Sequence, residues 1–148
     1  MNNSTHLIRT QISFEAAHRL YAKTYSEDCT SNIHGHSYKV TVVFGSEKLN
    51  DAGMVADFKQ IKEILRGSIE AKYDHSCILH ALDPLATPIA KNCKKVHIVT
   101  ENPTAEWMAQ RFFYEISCAL KLAGLFDVYV HQISVQETEN NIAIYSGQ

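Results

Sequence analysis

The chain lacks a basic surplus, a membrane-length apolar run, a C-x-x-C pair and an H-E-x-x-H motif. Its net charge of -2 excludes the basic balance of a general nucleic-acid binder. No apolar run approaches the roughly 20 residues of a membrane-spanning helix. The first ten residues are polar, with Leu7 and Ile8 the only large aliphatics after Met1, so the start does not read as a secretory leader. Without a leader or paired spacing, Cys29, Cys77, Cys93 and Cys118 read as free thiols of a reduced, cytoplasmic protein. The missing H-E-x-x-H leaves little weight for a zinc hydrolase reading. There is no repeat of solenoid period and no break in composition. The 148 residues are expected to form one domain, 1–148, long enough to bury a core.

Histidine, by contrast, is abundant, with eight in the sequence. His34-Gly35-His36 is the pattern of interest, with His18 upstream and Cys29 between. Two histidines one residue apart on a strand project to the same side. A third from a neighbouring strand would complete a three-histidine set and leave a tetrahedral metal one open position. Gly35 removes the side chain pointing the other way, which allows close packing behind the pair. His18 fits two readings by itself: a ligand, or a core histidine bonded to a backbone carbonyl.

Period-2 alternation through Ile8, Thr10, Ile12, Phe14, Ala16 and His18 predicts a half-buried strand, and His36, Tyr38, Val40, Val42 and Phe44 predict a second. Met1–Thr5 reads as a loose polar start and Leu20–Ile33 as a loop. Within that loop Cys29 is either an incidental thiol or a thiolate stabilised by a nearby cation. Asp57 is the expected N-cap of a helix whose Phe58, Ile61, Ile64, Leu65 and Ile69 face the core. Tyr73-Asp74-His75 falls in a connection, 83–95 is irregular, and Val96–Val99 fits a short extended piece. Thr104 is the expected N-cap of a second helix that ends at Gly124, with Cys118 as a small buried hydrophobe. Tyr129, His131, Ile133, Val135 and Glu137 are expected on one face of a third strand, and Ile142–Tyr145 form a fourth. The order ββααββ predicts an α+β layer: a four-stranded antiparallel sheet with two helices on one face.

The constellation resembles the 6-pyruvoyltetrahydropterin synthase and 6-carboxytetrahydropterin synthase family. The matching pieces span nearly the whole sequence: Phe14-Glu15-Ala16-Ala17-His18-Arg19-Leu20, Cys29 ahead of His34-Gly35-His36-Ser37-Tyr38, and Gly53-Met54-Val55-Ala56-Asp57-Phe58. Asp74-His75, Asn102-Pro103-Thr104-Ala105-Glu106, Glu137-Thr138 and Tyr145 complete the set. The resemblance implies that His18, His34 and His36 hold Zn²⁺ and that Cys29 is the general base. It further implies Asp74 and His75 as a proton relay, Glu137 as the carboxylate anchoring a pterin ring, and Thr104 lining its pocket. It implies the tunnelling fold, in which trimers close their sheets into a barrel and pair into a hexamer, with active sites between subunits.

The substrate implied is 7,8-dihydroneopterin triphosphate, and the favoured product is 6-carboxy-5,6,7,8-tetrahydropterin, with release of acetaldehyde and triphosphate, in queuosine (7-deazaguanine) biosynthesis. The alternatives are a 6-pyruvoyltetrahydropterin synthase and a non-catalytic pterin- or purine-binding protein. Four residues separate Cys29 from His34, one more than the common bacterial pattern and one fewer than the animal type. Glu27 and Asp28 lie beside the base position, where some relatives use a glutamate to make a different pterin product. The 82–100 stretch is longer than in compact bacterial forms and has no role implied by the resemblance.

Overall fold

The computed structural model describes residues 5–22 and 26–147. The expected polar start lies, except for Thr5, outside them, as does the Lys23 part of the loop. β1 (His6–Arg19) and β2 (His34–Ser46) form one long antiparallel pair. Its register runs unbroken from His6 opposite Ser46 to His18 opposite His34. Alternation holds as the sequence predicts: Phe14, Ala16 and His18 are buried while Ser13 and Glu15 are exposed. The connection between the two strands is not wholly loop, since α1 (Glu27–Ser31) forms within it and carries Cys29.

α2 (Phe58–Leu65) starts where Asp57 accepts from the Lys59 N–H at 2.7 Å. It continues through a π-helical turn, Arg66–Glu70, into α3 (Ala71–Tyr73). Phe58, expected in the core, is 48% exposed; it is the first residue of α2, and burial begins one turn later at Ile61. Beyond β3 (Ser76–His80), α4 (Ala86–Asn92) and β4 (Val96–Val99) comes the long helix α5 (Ala105–Leu122). Thr104 caps α5, its hydroxyl accepting from the Trp107 N–H at 3.2 Å. Gly124 follows its end with φ of 77°, the left-handed conformation a glycine adopts without steric cost. Cys118 is exposed rather than buried. The buried stripe of α5 runs through Met108, Phe112, Ile116 and Leu120, and position 118 lies off it.

The sheet has six strands in the order β4-β3-β1-β2-β5-β6, with β5 (Tyr129–Gln136) and β6 (Ile142–Ser146) at one end. This corrects the expected four-stranded antiparallel sheet in two respects. β3 and β4 belong to it, and both run parallel to β1. β4 is the extended piece expected at Val96–Val99, but its place in the sheet was not, and β3 is a short apolar run without alternation, the pattern of a strand covered on both faces. α4 crosses over from β3 to β4 inside the segment read as irregular. Tyr129 and His131 do not share a face with Ile133 and Val135, because a bulge intervenes. Val43 opposes Gln132 while Phe44 opposes Val130. His131 is therefore the extra residue, and Val130 takes the inward position.

One face of the sheet packs under α2 and α5. Phe14 stacks on Tyr38 with ring centroids 5.1 Å apart and meets Phe112 edge-on at 5.9 Å. Ile61, Leu65, Ile69, Met108 and Ile116 close over them, all fully buried. Burying each such side chain is worth about 1.5–3 kcal/mol. Among the described residues no helix is long and apolar enough to cross a membrane.

Candidate metal centre

The core stripe of β1 and β2 ends in the three histidines. Phe14 faces Tyr38, Ala16 faces His36 and His18 faces His34. Hydrophobic packing thus fixes where the polar end of the hairpin stands, and the small side chain of Ala16 leaves room for the rings above it. His18, His34 and His36 each offer a ring nitrogen, and these atoms lie within 4.8 Å of one another. His18 is 2% exposed, so the cluster opens towards His36 and Glu137.

The tautomers follow from two backbone carbonyls. His18 Nδ1 lies 2.7 Å from the Pro103 carbonyl and His34 Nδ1 lies 3.1 Å from the Asn32 carbonyl. A carbonyl oxygen only accepts, so both Nδ1 atoms carry the proton. In the neutral rings both Nε2 atoms then present bare lone pairs, and they face each other at 3.0 Å. Two acceptors so placed repel unless a cation lies between them. His36 Nε2 is buried and has no hydrogen-bond partner among the described residues. Burial lowers the His18 pKa from 6.5 to about 4, against the pull of the Pro103 carbonyl and with help from His34 and His36. Burial also lowers the His36 pKa, opposed by the Glu137 carboxylate. Three imidazoles with converging ring nitrogens are the donor set of a catalytic divalent-metal site with an open position, and the residues fit such an ion.

Sequence reasoning identified the three histidines but not the Pro103 and Asn32 carbonyls that orient them. A main-chain acceptor leaves no side-chain trace to read. Glu137 stands closer than expected, with Oε1 3.5 Å from both His18 Nε2 and His36 Nε2. It also borders a cleft of about 420 Å³ with Ala105, Glu106, Asn140 and Asn141. Thr104 adjoins that cleft in sequence, but its hydroxyl is engaged in capping α5. The Tyr38 hydroxyl is buried with no hydrogen-bond partner among the described residues, and burial, then Glu137, pushes its pKa up. Cys29 stands in the connection whose two ends are His18 and His34, its carbonyl accepting from the Leu20 N–H at 3.0 Å.

Asp74 and His75 form a pair of their own. Asp74 Oδ2 accepts from His75 Nδ1–H at 2.7 Å, and Oδ1 accepts from the Glu15 N–H at 2.9 Å. The Glu15 bond first and the His75 bond second hold the Asp74 carboxyl below its ordinary pKa. The His75 N–H donates to the Glu15 carbonyl at 2.7 Å. His75 has φ of 58°, the one positive φ among described residues other than glycine, a strained conformation typical of working sites. Its side chain is 81% exposed and lines a cleft with Glu15, Ala16, Ala17, Gly35, His36, Ser37 and Ser76. The side chains of Glu15, Ala17 and Ser37, with Gly35, belong to one face of the sheet. Those residues alternate with Phe14, Ala16 and His18, so the pair lies on the opposite face of the sheet from the histidine cluster. Among the described residues no hydrogen bond or ion pair joins Asp74 or His75 to the three histidines, although His75 and His36 border the same cleft.

The protein is 33% identical over 132 residues to the 6-carboxy-5,6,7,8-tetrahydropterin synthase of Rickettsia felis, covering 88% of this chain and 92% of that one. It is 28% identical to the human 6-pyruvoyl tetrahydrobiopterin synthase, covering 95% and 91%. Its fold matches the solved 6-pyruvoyl tetrahydropterin synthase of Plasmodium falciparum with a TM-score of 0.76, at 21% identity and over 98% and 99% of the two chains. The model of the 6-pyruvoyl tetrahydropterin synthase family spans residues 7–148, and with a relative at this identity over most of its length the chain belongs to that family of lyases.

Proposed function

We propose that the protein is a zinc-dependent lyase converting 7,8-dihydroneopterin triphosphate to 6-carboxy-5,6,7,8-tetrahydropterin, with release of acetaldehyde and triphosphate, in queuosine-type 7-deazaguanine biosynthesis. The observation that carries the metal-dependent reading is the pair of bare imidazole Nε2 lone pairs at 3.0 Å, beside the unpartnered His36 Nε2. The carboxy product is favoured by the higher identity to a 6-carboxytetrahydropterin synthase than to the human pyruvoyl enzyme.

Bound by His18, His34 and His36, zinc supplies positive charge for the hydroxyl oxygens of the substrate's tail and for the negative charge that develops on them. Glu137 accepts two hydrogen bonds from the amidine-like N–H edge of the pterin, a charge-assisted grip that sets the ring's register. Cys29, as thiolate, removes a proton from a carbon of that hydroxylated tail. Asp74 fixes the His75 tautomer through Nδ1–H, so that Nε2 is the atom that takes or gives the proton.

The relay pair reaches the histidines from a neighbouring subunit. Support comes from the sheet separating the two groups within one subunit, and from the edge strand β6, where Ile142 and Ile144 are 53% and 62% exposed. An edge of that kind is unsatisfied alone. It suits sheets that join into a barrel in a trimer or hexamer.

A second reading is the 6-pyruvoyltetrahydropterin synthase, since the Cys29-to-His34 spacing lies one residue from both the bacterial and the animal pattern and does not assign the subtype. Product analysis separates the two. Zinc-loaded protein incubated with dihydroneopterin triphosphate is expected to yield acetaldehyde and a 6-carboxy pterin by mass. A pyruvoyl product alone moves the protein to the second reading, and no turnover with zinc bound points to a pterin or purine binder.

A further inference from the structure

The segment from Leu82 to Thr100 holds a buried carboxylate with no part in the chemistry above. Asp83 is 4% exposed and its side chain is fully covered. Its Oδ1 accepts from Arg19 Nη1 at 3.0 Å and from the Leu85 N–H at 2.8 Å, while Oδ2 is buried without a partner among the described residues. A covered carboxylate is costly unless paired, and Arg19 is the cation that pairs it. The same guanidinium donates from Nε to the Thr30 carbonyl at 2.7 Å. Thr30 follows Cys29, whose own carbonyl accepts from the Leu20 N–H at 3.0 Å.

Two consecutive carbonyls of α1 are therefore tied to Arg19, the last residue of β1, and to Leu20 beyond it, immediately after the ligand His18. α1 needs such ties. It is five residues long and buries none of them, far below the length at which a helix holds itself in water. A cation at its C-terminal carbonyls also suits the helix dipole.

We propose that Asp83 is a positioning residue for the site: through Arg19 it sets where α1, and with it Cys29, stands relative to the metal ligands. The inference rests on reading Cys29 as the base. It also gives the 82–100 segment a role, since its first turn holds the orientation of the arginine. The guanidinium fork reaches Thr30 and Asp83 together from a fixed plane, which a lysine ammonium does not reproduce.

The test compares Arg19→Lys and Asp83→Asn with the wild type as zinc-loaded full-length proteins. Asp83→Asn keeps the side-chain oxygen that accepts from Leu85. In both variants kcat with dihydroneopterin triphosphate is expected to fall about ten- to a hundredfold, the scale of a misplaced reacting group, with KM and zinc content essentially unchanged. The rate of Cys29 alkylation by iodoacetamide, read by peptide mass against exposed Cys93 in the same sample, is expected to change severalfold. Amide exchange over 27–31 is expected to speed up. A kcat within twofold of wild type in either folded variant, or unchanged alkylation and exchange, overturns the inference. If Asp83→Asn does not fold, Arg19→Lys decides by the same readouts. Cys29→Ala assayed alongside separates the two claims: an active Cys29→Ala removes the base assignment, and alkylation and exchange then decide the clamp alone.

Discussion

Acid should destabilise the metal-free protein through His18, by an amount that follows from its burial. The folded protein resists protonation of this ring, so its pKa falls to about 4, while in the unfolded state it returns to about 6.5. Between those values the unfolded state binds more protons, so stability falls as pH falls. The stability carried by neutral His18 is full above the unfolded value, erodes from about pH 6.5 downwards and is spent near pH 4. One pKa unit is about 1.4 kcal/mol, so the whole window is worth about 3 kcal/mol, of which about 2 kcal/mol is lost between pH 7 and pH 5. The assay is guanidinium unfolding of chelator-treated protein at about pH 7, 6 and 5 and fixed protein concentration, since assembly links stability to concentration. His18→Gln is measured in parallel. Both proteins share the other pH-dependent groups, including His36, whose pKa is lowered in the same direction. The wild type should therefore show the steeper loss, by about 2 kcal/mol over this range. Equal pH slopes would refute the reasoning, because they would mean that His18 titrates alike in both states.

Replacing Cys29 by Ala should abolish turnover while zinc content by plasma spectrometry stays at wild-type level, and retained activity would remove the thiol from the base role. Glu137→Gln should raise KM about ten- to a hundredfold, the loss of a charge-assisted hydrogen bond, with zinc retained. Loss of zinc instead would make Glu137 a metal-site residue, as its 3.5 Å approaches to His18 and His36 would then suggest. Inactive Cys29→Ala and His75→Ala subunits, unfolded and reassembled together in equal amounts, should recover about a quarter of wild-type activity if each site draws on two neighbours in a symmetric ring. No recovery would place both groups on one subunit. Gly124→Ala should lower stability by about 1–2 kcal/mol in thermal unfolding because of its left-handed φ, and should leave kcat unchanged.

What the sequence disclosed was what side chains encode locally. The alternation of β1 and β2 led directly from Phe14 and Tyr38 to the three histidines. Asp57, Thr104 and Gly124 mark helix ends through chemistry that belongs to one or two residues. β3 and β4 were less visible, because Ile78 and Leu79 in a five-residue run do not reveal direction or partner. The bulge at His131 also escaped period-2 reading, since an inserted residue reverses every face beyond it. The Pro103 and Asn32 carbonyls that set the histidine tautomers were out of reach for a different reason. Backbone groups are the same at every position, and only the fold says which of them points at an imidazole.

The same alternation that delivers the histidines also sets Asp74 and His75 against the other face of β1, which is why we read the site as shared between subunits. Phe14, Ala16 and His18 point beneath α2 and α5, and Glu15 and Ala17 point away from them. Asp74 and His75 are bonded to the Glu15 backbone and open onto that second face. Turning the Glu15 side of β1 to the histidine side would take a one-residue slip of β1 against β2, which would expose Phe14 and bury Glu15. Core packing rules that slip out at a cost of several kcal/mol. A reaction that needs both the metal ligands and the relay must therefore bring the second face of one subunit against the open side of another subunit's cluster, where His36 and Glu137 retain exposure. Catalysis and assembly would then be linked at Glu15, whose backbone holds the relay and whose neighbours on either side in β1 carry the core.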